Sequence, residues 1–561
     1  MILNITSMKA LLVFILGLWS ASITLGQNDK NKKLPFNYSG SLTLSHQYYN
    51  QFIGTDGLIP ANSFNLSGGV TLSIKGVKLP VSIVYNRGSF NFVRPVFYIG
   101  TSPRFKKTTL HIGMRTMNFS KFFMSGTTFF GLGLETSYKK LRFAGMGGKL
   151  RNFFAYDPDI FVDGLSFLQD YNRNVFATKI GFGTDRAYFD MLAFAGQDGF
   201  NESELNAEAL QNIELHPKDN VGFGIDWLLP LHKNIFIKME ALGSAYSENK
   251  DKNDFEIKES YRAISNIFSP NPTSSFSYAG NASLSYQISN FRLSYSTELV
   301  SPEFRTIGTY YYQSDFINHS LNTSLKIMDG KLRLSGSYGF MKNKLTDRNI
   351  NSNLRTTYAF NFKYKPNKKL LLTGKYSNFN FDKSPQIEQF DDTLKVVSIQ
   401  QNGFFSPMIK FGKGNNSSLR VILNYRQLEN KFALEDLSTS SQIYMSKLVI
   451  GTSLYEYKLR AGAGFRIYDY LVSDRETYSV DLTLSKSFVN NKISTRVGSS
   501  YNKTNVVDKN NGYYVRSFAS VNMNMNKYSS LQVSINHLNR KQNVGQDRSE
   551  IRLRTALNLR I

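Results

Sequence analysis

The feature that most limits what this chain can become is a two-residue alternation of apolar and polar side chains, repeated from Phe36 to Ile561. Across 63–75, Phe64, Leu66, Val70, Leu72 and Ile74 share one parity, while Ser63, Asn65, Ser67, Thr71, Ser73 and Lys75 take the other. The pattern returns as Leu332, Leu334, Tyr338 and Phe340 against Arg333, Ser335 and Ser337, and as Tyr478, Val480, Leu482 and Leu484 against Ser479, Asp481, Thr483 and Ser485. It closes the chain too, with Leu553, Leu557, Leu559 and Ile561 against Arg552, Arg554, Asn558 and Arg560. Neighbouring side chains of a strand point to opposite faces, so each segment has one oily and one wet face. About ten such residues suit a strand with lipid on one side and water on the other.

A soluble sandwich alternates as well, and the connections separate the two cases. Tight turns fall near Lys75-Gly76, Lys139-Lys140, Met328-Gly330, Pro366-Lys368 and Asn490-Asn491, with looser ones near 101–107, 184–186 and 412–417. Longer polar connections come between them, near 50–62, 118–126, 151–173, 197–219, 247–273, 301–314 and onward to 539–548. Strict alternation of short and long links is the habit of outer-membrane barrels, with short periplasmic turns and long extracellular loops. The count gives an all-β, antiparallel transmembrane barrel of about 26 strands (24–26), with both ends of the barrel in the periplasm. No Pro/Gly/Ser-rich linker interrupts it, so residues 36–561 read as one domain.

Hydropathy alone would mislead, since its mean is −0.30. The composition of 44 Phe, 32 Tyr and 40 Gly instead fits short strands with one apolar face. The first 26 residues read as an export signal: Lys9, the apolar run Ala10 to Ile23, then Thr24 and Gly26 before a cut preceding Gln27. That run is shorter than the ~20 apolar residues a spanning helix needs. The chain has no Cys, which removes disulfides, thiol nucleophiles and a lipoprotein anchor. Gln27 to Pro35 then form a short periplasmic segment, too small for the N-terminal plug of a TonB-dependent transporter.

A 26-stranded cylinder has a radius of roughly 25 Å, so something is expected to obstruct it. Two acidic connections are candidates in a chain of net charge +25: 156–172, with Asp157, Asp159, Asp163 and Asp170, and 201–215, a short helix with a capping-box pattern at Asn201 and Glu204. Parity places Arg142, Arg292, Arg333, Arg420, Arg460 and Arg496 inside the lumen just after short turns, joined by Arg552, Arg554 and Arg560 in the last strand. Such a belt would favour anions or an acidic partner; alternatively, carboxylates such as Glu135 and Asp481 balance it. Aromatic pairs at Tyr48-Tyr49, Phe122-Phe123, Tyr310-Tyr311-Tyr312, Phe404-Phe405, Tyr468 with Tyr470, and Tyr513-Tyr514 are expected to form the interface girdles.

The search for chemistry gives little. The six His have no metal-ligand spacing, and no Gly-x-Ser-x-Gly elbow, phosphate-binding loop or HExxH is present. No cofactor and no enzymatic activity are expected. The best polar cluster combines His111, Arg115 and Glu135 on adjoining strands, beside Gly131 and Gly133. It reads either as a binding site or as a satisfied lumenal network on which a loop packs. The stretches VRPVFYIGTSPRFKKTTLHIGMRTMNFSKFFMSGTTFFGLGLE (93–135) and SPEFRTIGTYYYQSD (301–315) resemble segments of uncharacterised, plug-less outer-membrane β-barrel proteins of Bacteroidota. The resemblance implies location and fold and transfers no functional residues. The expectation is an outer-membrane channel or transport conduit with a basic lumen; the alternative is a docking protein with a filled lumen. Expected partners are outer-membrane lipid and lipopolysaccharide, with a periplasmic or plug protein as a further possibility and no nucleic acid.

Overall fold

In the computed structural model the described residues are 36–53, 62–74, 77–87, 97–151, 172–199, 216–252, 268, 270–309, 313–343, 351–385, 395–433, 436, 438–454, 456–471, 475–506, 509–541 and 547–560. Their strands join into one closed antiparallel barrel of 26 strands. Phe97–Thr101 and Arg104–Phe105 count as a single interrupted strand. Both pair with Val77–Arg87 on one side and with Thr108–Thr116 on the other. Closure is made by Phe36–Ile53 against Arg548–Arg560, with Leu44 opposite Leu557 and Tyr48 opposite Leu553. Every backbone ladder is thereby continued around the ring, which is the condition for a sheet to cross hydrocarbon without a bare edge.

The alternation read from sequence becomes the inside and outside of this ring. On Thr128–Tyr138, Phe130 is 55% exposed and Leu132 60%, whereas Phe129 on the other parity is fully buried. The exposed rings and aliphatic chains of Phe176, Phe182, Met191, Phe223, Tyr278 and Leu482 continue the outer apolar face. Short turns obtain their reversal from left-handed residues. Lys139 has φ 52°, the link after Ile327 uses three in succession (Met328, Asp329, Gly330), and the link after Phe488 uses Val489, Asn490 and Asn491. The expected export signal, the 27–35 segment, both acidic connections expected as obstructions and Tyr310 to Tyr312 lie outside the described residues.

Candidate functional site

The interior is divided into two unlike sectors. Over the strands from Thr108–Thr116 to Leu332–Asn343, two long connections, 117–127 and 301–309, turn inward and share an apolar core with the inner wall. Phe122, Phe123 and Met124 have no exposed surface, and around them pack Met117, Phe304 and Ile307 from the connections and Met146, Val175, Leu192, Phe194, Leu242 and Met341 from the wall. The ring centroids of Phe123 and Phe194 are 5.2 Å apart. The two connections are also tied to each other, through Met124 N donating to Gly308 O (3.1 Å) and Thr127 Oγ1 to the same oxygen (3.0 Å).

Glycines on the wall are the seats for these connections. A Cβ on Gly133 would stand 2.3 Å from Met117 Sδ, and one on Gly196 would stand 2.6 Å from Ile307 Cδ1. Polar latches complete the attachment. Glu240 accepts from Ser120 Oγ and from Lys121 N (2.9 Å), and Lys121 Nζ lies 2.7 Å from Glu298. Asn220 Oδ1 accepts from Ile307 N (3.2 Å), while Ser244 Oγ donates to Arg305 O (2.8 Å). These side chains sit on inward parity and relieve backbone groups that the irregular connections leave unpaired.

Sequence does not mark these two segments as an obstruction, because their Phe and Met content resembles that of strand ends. Phe122-Phe123 is therefore corrected from girdle to lumenal core. The girdle expectation also fails for Tyr49, Phe404, Tyr468, Tyr470 and Tyr514, which fall on inward parity. Adjacent residues on a strand cannot both face lipid, so a Tyr-Tyr or Phe-Phe pair puts one ring outside and one inside.

His111, Arg115 and Glu135 do come together, as a packed network. Glu135 Oε2 lies 3.6 Å from His111 Nε2, and Ser102 Oγ is 2.9 Å from His111 Nδ1. Arg115 is spent inside the wall on Ser82 Oγ (2.6 Å), Pro80 O (3.3 Å) and Gly100 O. The space beside Gly133 holds Met117, and a side chain on Gly131 would meet the backbone of Gly147. The three side chains are thus partnered within the wall, beside the inward connection that carries Met117.

In this filled sector two inward arginines, Arg142 and Arg173, are held by carboxylates and two, Arg292 and Arg333, are not. Arg142 is held by Asp190, with Nη2 to Oδ2 and Nε to Oδ1 both 3.0 Å, and its guanidinium stacks 4.2 Å from the Tyr188 ring. Arg173 makes a two-pronged bond to Asp198 at 2.7 and 2.8 Å. Arg292 donates to Gln287 (2.6 Å), and Arg333 stands in register between Lys326 and Lys363.

The remaining wall, from Asn351–Tyr364 round to Arg548–Arg560, is different. Among its described strand residues the inward parity carries Arg355, Lys363, Lys375, Lys383, Lys410, Arg420, Arg426, Lys447, Arg460, Arg466, Arg475, Arg496, Arg516, Arg540, Arg548, Arg552, Arg554 and Arg560, but only Asp481 and Glu550 as carboxylates. Arg460, Arg496 and Arg554 lie on one cross-strand row, spaced by Ser485, Ser520 and Ser534. Arg420 is steadied by Ser406 (2.8 Å), Arg496 lies over Phe518 (5.4 Å), and Arg552 lies over Tyr49 (5.2 Å) while donating to Glu550 (3.3 Å). Among the described residues no cluster of three or more His, Asp or Glu is arranged to hold a metal.

No family model matches the sequence, and no curated relative matches it. Several solved structures align with it at low similarity. The translocation pore of the P pilus usher PapC aligns over 92% of this chain and 99% of its own, with TM-score 0.40 and 10% identity. OccK8 (OprE) of Pseudomonas aeruginosa aligns over 62% and 93%, with TM-score 0.29 and 12% identity. Wzi of Escherichia coli, described as a carbohydrate-binding β-barrel in capsule assembly, aligns over 62% and 81%, with TM-score 0.32 and 9% identity. The chain's own strand pairing makes it a closed antiparallel β-barrel of 26 strands.

Proposed function

We propose that the chain is an outer-membrane conduit whose passage runs beside the inward connections, along the basic wall, and prefers anions. The observation that carries this reading is the division of the lumen. An apolar core fills one sector, with Arg142 and Arg173 held by carboxylates, while the other presents eighteen inward cations against two carboxylates among the described residues. Fixed cations on the wall of a narrowed aqueous path raise the local anion concentration, and a low-dielectric barrel sharpens their field. The outward Phe, Leu and Tyr side chains would meet acyl chains. Lysines crowding the short turns, among them Lys106, Lys107, Lys139, Lys140, Lys368 and Lys369, would meet phosphates of the adjoining leaflet.

The test is single-channel conductance of the refolded barrel in a planar bilayer, with a salt gradient across it. Discrete steps whose reversal potential reports anion preference are expected. A correctly folded barrel that passes no current would overturn the conduit in favour of a docking protein with a closed lumen.

A further inference from the structure

The basic wall contains a well-defined concavity, away from the inward connections. It has a volume of about 500 Å³ and opens between the strands Thr439–Leu454 and Ser529–Lys541. Register brings its charges together: Lys447 is opposite Arg466, and Gly464, Asp481, Ser500 and Arg516 follow one another across four strands. Asp481 Oδ2 is shared by Lys447 Nζ (2.8 Å) and Arg466 Nη2 (3.0 Å). Gly464 makes room for that arrangement, since a Cβ there would fall 3.2 Å from Lys447 Cε and 3.3 Å from Asp481 Oδ2. Arg516 is the third cation. It is exposed to the cavity and forms no ion pair among the described residues.

Two aromatic rings flank that free guanidinium. Tyr514 and Phe518 stand two residues to either side of Arg516 on the same face, and both line the cavity. Residues two apart on a strand are separated by roughly 6.8 Å, about the length of a six-membered ring carrying a carboxylate. A planar carboxylate matches the fork of Arg516, and a ring attached to it would lie along one of the flanking aromatic faces. Asp481 supplies the discrimination. It engages Lys447 and Arg466, so a solute meets one cation not already paired among the described residues, Arg516, and a second negative charge finds no such partner in the cavity.

We propose that this cavity is a lumenal subsite for small monocarboxylates bearing a six-membered ring, with Arg516 as the carboxylate ligand and Tyr514 and Phe518 as the ring platform. The inference rests on the conduit reading, which makes this wall a path for solutes, and it names the class of solute.

The experiment is calorimetric titration of the refolded barrel in detergent with benzoate, glucuronate, benzamide and inorganic phosphate. Saturable binding of benzoate or glucuronate is expected, with benzamide and phosphate at least tenfold weaker; the better of the first two identifies an aromatic or a sugar ring. Arg516→Gln should weaken that binding tenfold or more, Arg516→Lys should weaken it less, and Arg186→Gln, in an exposed short turn, should leave it unchanged. All variants are checked for the heat-modifiable migration of a folded barrel. Phosphate binding equal to benzoate, no saturable heat, or indifference to Arg516→Gln overturns the subsite. Anion-selective current without carboxylate binding removes the subsite and leaves the conduit. Carboxylate binding through Arg516 in a barrel that passes no current removes the conduit and leaves the subsite.

Discussion

Replacing Phe123 by Ala tests whether the inward connections are held by their apolar core. Phe123 is fully buried in the lumenal core, with its ring 5.2 Å from that of Phe194 on the wall. Truncating a buried Phe costs about 3–5 kcal/mol when the surroundings cannot collapse. The ring packs between connection and wall, so this cost falls on docking of 117–127 and 301–309 rather than on the strand ladders. At about 1.4 kcal/mol per tenfold, local opening should become more frequent by roughly two to three and a half orders of magnitude. The reporter is amide exchange at Met124, whose N–H is bonded to Gly308 O. Exchange there should accelerate by that factor, while amides of Thr108–Thr116 keep their protection; in bilayers the same variant should conduct more and with greater noise. Phe130→Ala, on the lipid face of the adjoining strand, is the control and should change neither. Unaltered Met124 protection in Phe123→Ala would refute the reasoning, because the connections would then be held by their polar latches alone.

Three further outcomes are expected. Changing Arg460, Arg496 and Arg554 together to Gln should lower the anion-to-cation permeability ratio several-fold, since each charge contributes about 0.4 kcal/mol at about 10 Å in a water-like medium; the reversal potential in a salt gradient measures it, with a fall on raising ionic strength. Asp190→Ala should cost about 3 kcal/mol in urea unfolding from lipid vesicles, the low end for a broken buried pair because Arg142 keeps a quarter of its exposure, and Arg142→Leu combined with it should recover part of the loss. Val489→Asn should stabilise the barrel by about 1 kcal/mol in the same assay, because a β-branched residue is held at φ 48° in an exposed turn where Asn sits with little strain.

The barrel was legible because its signal is local and repeated. Parity along Leu332 to Phe340 is visible without knowing what pairs with it, and turn residues such as Asp329-Gly330 mark each reversal. The arginine row was legible for the same reason, since parity alone puts Arg460 and Arg496 inside. Whether a given arginine is free was not legible. Arg142 is neutralised by Asp190, a carboxylate two strands away in the chain, while Arg516 meets no such group among the described residues. The occupant of the lumen was hidden for a different reason. Met117, Phe122 and Phe304 become core only after closure brings walls from Met146 to Met341 around them, and no spacing within 117–127 announces it. The glycines were the available clue. Gly133 and Gly196 face inward with no side chain, and Met117 and Ile307 of the connections occupy the space that one would take.

The seam between the first and last strands has its own implication for how the molecule comes into being. Tyr49 OH donates to Glu550 across 501 positions of sequence, so this join needs both extremes of the chain at once. Contacts of such long range carry the largest ordering cost and form late. The apolar core, by contrast, uses residues from Met117 to Met341, and its strands are neighbours in order. A partial wall carrying its own packed interior can therefore exist while the ends are still apart. Insertion then becomes the addition of a polar, arginine-bearing arc to a section already solid, and the ring's last event is the meeting of its two edges.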